Sequence, residues 1–153
     1  MTQRITFQDA PQELLSGLFM TGKFLKKSGL DPKLLALLDY RVSQINGCAY
    51  CLDMHFKDAV HLGETEQRLY SVSAWRDTPY YTDKERAALE FAEAVTNANT
   101  QDVEDDLFEK MLSFFSKAEI AALTLAITNI NAWNRLNKTF KTIPGGYKVG
   151  MFD

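Results

Sequence analysis

Few residues in this 153-residue chain can carry redox or metal chemistry: there are two cysteines and two histidines. There is also no run rich in lysine and arginine, no glycine-rich phosphate loop, no stretch of sustained apolar and polar alternation, and no internal repeat. Each absence removes a class of protein. With 17 Lys and Arg against 20 Asp and Glu the formal net charge is −3, so no excess of cations exists to neutralise phosphates and nucleic acid is not an expected partner. The missing alternation argues against a sheet, and the missing loop against a nucleotide site of the P-loop kind. Residues Met1 to Gln8 contain no apolar h-region or small-residue cleavage site, and the richest apolar run, Ile120 to Ile130, is broken by Thr124, Thr128 and Asn129. The expectation is a cytoplasmic protein with no membrane partner.

What is present is ordinary globular material. An apolar fraction of 46% and a charged fraction of 24% fit a folded chain, and a single domain over residues 1–153, with its core at about 34–140, would bury roughly 70% of its unfolded surface. Helix signals recur along it. A first helix is predicted from about Pro11 to Ser28, with Asp9 near its cap and an apolar face of Leu14, Leu15, Leu18, Phe19, Phe24 and Leu25. Asp31-Pro32 opens a second helix that stops at Asn46-Gly47. A third starts around Cys48, with Asn46 as a possible cap, and runs to Gly63. A short helix follows from Thr65 to about Ala74. The capping boxes Thr82 to Glu85 and Ser116 to Glu119 open two more, with another over Val103 to Phe115 between them. The tail from Thr142 is expected to be irregular and to pack on a neighbour. The fold class is therefore all-α, a bundle of about seven helices.

Both cysteines and one histidine fall in Cys48-Ala49-Tyr50-Cys51-Leu52-Asp53-Met54-His55. On a helix, with 100° per residue, positions 48, 51 and 55 share one narrow sector. Thiols at a helix N-terminus feel the positive end of the backbone dipoles, and an imidazole one turn from Cys51 can take its proton. A thiolate so favoured attacks a peroxide bond, and a second thiol one turn away traps the resulting sulfenic acid as a disulfide. Zinc is the rival use of such residues, with His61 as a fourth ligand. His61, however, lies roughly 120° round the helix from the other three, and no loop separates two ligand pairs. No metal and no cofactor is expected.

Residues Ser43 to His55, followed by Lys57-Asp58-Ala59 and Gly63 to Glu66, resemble the core of the alkylhydroperoxidase D-like branch of the carboxymuconolactone decarboxylase superfamily. The similarity extends to Thr82 to Leu89, Leu125 to Ile127 and Ile130 to Arg135. It implies an all-helical subunit in a homotrimer or a hexamer of trimers, with thiol-dependent peroxidase activity on hydrogen or organic peroxides. It also implies a lipoyl- or thioredoxin-like thiol donor for recycling. By the same resemblance Cys51 is the peroxidatic thiol, Cys48 the resolving one, and His55 the motif histidine. A helix dipole alone would favour Cys48, but His55 stands one turn from Cys51 and two from Cys48.

The chain departs from the pattern at Ala36, where the family carries a relay glutamate. Asp39, one turn further on, is the candidate replacement. Tyr50 stands where some members have a histidine. Weaker candidates are Arg41 and Arg135 as anion-steadying groups. Asn129, Asn131, Asn134 and Asn137 read as scaffolding, and Trp75 and Trp133 as core or subunit contacts. Two other functions compete with the peroxidase: a lyase like the decarboxylase arm, acting on a small lactone acid, and a non-catalytic oligomeric or metal-binding protein.

Overall fold

The computed structural model describes residues 2–152 and, at Gln12, the backbone alone. Among the described residues there are seven α-helices, one 3-10 helix and no strand. They are α1 (Gln12–Leu25), α2 (Pro32–Asn46), α3 (Ala49–His61), α4 (Glu66–Ser71), the 3-10 helix Val72–Asp77, α5 (Asp83–Thr96), α6 (Asp105–Leu112) and α7 (Lys117–Phe140). No single helix among these residues is long and apolar enough to cross a membrane.

Local chemistry sets most of the boundaries. Asp31 accepts from the Lys33 amide and Pro32 begins α2, while Gly47, at φ 61°, ends it in the left-handed conformation that costs glycine least. Both capping boxes form, Thr82 with Glu85 at α5 and Ser116 with Glu119 at α7. The expected cap at Asp9 does not: Asp9 instead accepts from the amide and hydroxyl of Thr6, and Pro11 precedes α1 without a side-chain cap.

α2 is the central element, packed against α3, α5 and α7, with α1 lying across α7. Leu37, Leu38 and Val42 of α2 are buried with Leu89 of α5 and Leu123 and Ile127 of α7. Each such side chain is worth roughly 1.5–3 kcal/mol over exposure to water. α1 is less committed than its sequence implies. Leu15 and Leu25 are buried, but Leu14, Met20 and Phe24 are exposed, since α7 covers only part of that face. The tail after α7 is irregular, as expected, but it folds back on α3 of its own chain: the Gly145 amide donates to Asp53 and the Tyr147 hydroxyl to Asp58.

Candidate active site

The site is built at the junction of α2 and α3. Gly47 turns the chain, and the next residue, Cys48, is itself the N-cap of α3, its sulfur accepting from the Cys51 amide at 3.3 Å. Asn46 does not cap α3. Its side-chain amide donates to Asn131 and Asn134, both at 2.9 Å, and Asn134 in turn donates to Ser43. These buried asparagines of α7 therefore fix the end of α2 from which the thiols depart, which is the scaffolding role expected of them. Cys48 and Cys51 are joined as a disulfide, with Cα atoms 5.3 Å apart, and each is 1% exposed.

A cavity of about 470 Å³ opens above this point. Cys51, Tyr50, His55 and Asp39 line it, whereas Cys48 does not. Ala36 lines it too, so the position of the expected relay glutamate does face the site, carrying only a methyl group. His55 is buried, with Nδ1 3.9 Å from Asp39 Oδ2 and Nε2 without a hydrogen-bond partner among the described residues. Burial pushes the imidazole down to about 4. It pushes the Asp39 carboxyl up to about 8, with the charge of Asp58 adding to the effect. Near neutral pH these shifts favour an uncharged imidazole beside a protonated acid, with the Asp39 side chain still 28% exposed. His61 stands exposed at the end of α3 on the rim of the same cavity, and among the described residues no cluster of His, Cys, Asp or Glu is arranged to hold a metal ion.

The sequence profile of the carboxymuconolactone decarboxylase family matches residues 8–94, from before α1 to near the end of α5 and across both cysteines. The chain belongs to this family. YdfG of Bacillus subtilis, an uncharacterized protein, is 36% identical over 137 residues, which is 90% of this chain and 93% of that one. The crystal structure of ATU0492 from Agrobacterium tumefaciens, a protein of unknown function provisionally named for antioxidant defence as AhpD, superposes with a TM-score of 0.91. Its identity is 37%, over 95% of this chain and 100% of that one. A peroxidase-related protein of Ralstonia eutropha, described as an alkylhydroperoxidase AhpD core, shares the fold at a TM-score of 0.78 and 19% identity, over 88% of this chain and 72% of that one.

In this member of the carboxymuconolactone decarboxylase family several sequence candidates lie elsewhere. Arg41 is committed to Glu93, with Nη2 2.7 Å from Oε1, and does not line the cavity. Arg135 donates to the backbone and side chain of Asn131. Trp75 is a core residue that donates to Glu93. Trp133 packs against the core, as expected, and in addition lines the cavity with Phe7 and Phe19, whose ring centroids lie 6.1 and 4.9 Å from it. Spacing on α7 did not reveal this, because the rings that face Trp133 come from the other end of the chain.

Proposed function

We propose that the protein is a thiol peroxidase that reduces hydrogen or organic peroxides through a Cys51/Cys48 dithiol–disulfide cycle. The observation that carries this reading is that the cavity reaches Cys51 and not Cys48, at the head of the helix that places His55 one turn below. In the reduced protein the Cys51 thiolate attacks the nearer peroxide oxygen and the O–O bond breaks. The departing alkoxide or hydroxide takes a proton, and Cys51 becomes a sulfenic acid. The Cys48 thiol then attacks that sulfur, closes the disulfide and expels water. One peroxide and two thiols yield one disulfide, one alcohol or water from the leaving group, and one further water.

His55 offers a neutral nitrogen beside the thiol, and Asp39, 3.9 Å away, holds a proton that a bridging water carries to His55 and on to the leaving oxygen. Asp39 thereby stands in for the glutamate that Ala36 replaces. A dithiol donor of lipoyl- or thioredoxin-like kind returns the disulfide to two thiols. We place the protein in the cytoplasm as a homotrimer or hexamer, for which exposed Leu14, Met20 and Phe24 on α1 offer apolar surface.

The test is to reduce the protein, add hydrogen peroxide or cumene hydroperoxide, count free thiols and locate the modified peptides by mass. Both cysteines should be lost together as a disulfide, and Cys48→Ser should stop at a sulfenic acid on Cys51 that over-oxidises. Thiols that survive conditions oxidising free cysteine would overturn the reading.

A further inference from the structure

We propose that residues 145–152 form a strap that walls the cavity above Cys51 and selects peroxides by the size of their organic group. The strap lies outside residues 8–94, which the family profile matches, and its selective role rests on the peroxidase function proposed above.

Lys141, at φ 56°, and Gly145, at φ 100°, turn the chain back after α7. The returning segment is then tied to α3, the helix that carries Cys51 and His55. The Gly145 amide donates to Asp53 Oδ2 at 3.0 Å, Lys57 donates to the Tyr147 carbonyl at 3.1 Å, and the Tyr147 hydroxyl donates to Asp58 Oδ1 at 2.7 Å. Lys57 also pairs with Asp53 at 2.9 Å, so one strap contact braces another.

The apolar side of the strap belongs to the cavity. Tyr147 is 7% exposed and stacks on Phe152, with centroids 5.9 Å apart and planes at 22°. Phe152 lies 6.4 Å from Phe19, and Phe19 meets Trp133 at 4.9 Å. A continuous row of rings thus runs from the strap across α1 to α7, and all four residues line the cavity. Hydrogen peroxide has no use for such a wall, whereas a ring-sized organic group gains contact and loses water against it. No strap residue belongs to the main hydrophobic core, so the wall can be altered without dismantling the bundle.

The experiment uses 2-phenyl-2-propanol, the inert alcohol that cumene hydroperoxide would leave, titrated into the oxidised full-length protein by ligand-observed NMR. Tyr147→Ala, Phe152→Ala and a chain ending at Pro144 are compared with the wild type. Affinity should fall on the order of tenfold in each variant. In the reduced proteins kcat/KM for cumene hydroperoxide should fall about tenfold further than kcat/KM for hydrogen peroxide. Wild-type protein that does not bind the alcohol, equal affinity in wild type and both point variants, or an equal loss of turnover with the two peroxides overturns the strap. Binding that depends on the strap in a protein that oxidises with neither peroxide would instead overturn the peroxidase reading and leave the wall in place.

Discussion

Glu93 on α5 and Asp39 on α2 are both partly drawn out of water, with side chains 14% and 28% exposed, and their surroundings differ in kind. Burial raises the proton affinity of Glu93, but hydrogen bonds from Arg76, Trp75 and Arg41 outweigh it and hold the carboxyl below its usual range. Asp39 has no such donors to offset burial, and the nearby Asp58 charge adds to its rise. Its neighbour His55 is neutral and too distant, at 3.9 Å, for a hydrogen bond. The same α2 thus supplies Arg41 to clamp one carboxylate and leaves another, half a turn away, without a cation. Glu93 is held ionised by its partners, whereas Asp39, with no donor aimed at it, is shifted toward the protonated form, as the proposed relay requires.

The strongest way to break this comparison is at the thiols. If the chemistry lies on the unclamped side, Cys51→Ser should lower peroxide turnover by about a thousandfold or more, because a hydroxyl is not ionised where a thiol is. Stopped-flow peroxide consumption with a dithiol donor checks it. Turnover persisting in the double Cys→Ser variant would point to lyase chemistry instead. On the clamped side, Glu93→Leu strands the buried Trp75 indole N–H and the Arg41 guanidinium, while exposed Arg76 turns to solvent. It should cost about 3 kcal/mol in urea unfolding, the scale of breaking a buried pair from one side. Peroxide turnover per folded molecule should not follow it.

Legibility in the sequence divides along the same line. Asp31-Pro32, Gly47 and the two capping boxes act within a few residues of themselves, and so the helices could be placed before any tertiary contact was known. Cys48, Cys51 and His55 were readable for the same reason, being one and two turns of one helix apart. Asn46 was misread because its partners, Asn131 and Asn134, are 85 and 88 residues away and win it from the adjacent helix end. Arg41 reads in the sequence as a weak anion-steadying candidate because its actual partner, Glu93, lies 52 residues on. The strap carries no periodicity at all, and its place depends on three α3 side chains that only the folded chain brings to it.

Proton binding offers a finer test of the unclamped side. Asp39 is raised from 3.8 to about 8 on folding, so its contribution to stability is complete below pH 4 and is lost as pH rises to 8. His55 is lowered from 6.5 to about 4, so its contribution is complete above pH 6.5 and is lost as pH falls to 4. The two slopes cancel between pH 4 and 6.5, and Asp39 alone acts above that. The full value would be about 1.4 kcal/mol per pH unit, and because solvent reaches the Asp39 side chain, 28% exposed, the oxidised protein should lose about 1 kcal/mol between pH 6.5 and 8. Asp39→Asn should remove most of that fall, as read from urea midpoints at the two pH values. Equal slopes in the two proteins would mean that Asp39 is not the group that releases the proton.

The smallest expected effect asks whether the clamp works by charge or by shape. Arg41 sends both Nε, at 2.9 Å, and Nη2, at 2.7 Å, to Oε1 of Glu93, while Nη1 reaches Gln44 at 3.2 Å. A lysine at this position keeps the positive charge but loses the planar fork, and cannot hold Glu93 and Gln44 together. Arg41→Lys should therefore cost about 1 kcal/mol, and a double-mutant cycle with Gln44→Ala should recover part of that as coupling. A loss near zero would assign the clamp to charge alone. In either case Arg76 and Trp75 still donate to Glu93, so the carboxylate stays ionised, and the contrast with Asp39 then rests on the number of donors aimed at each carboxylate.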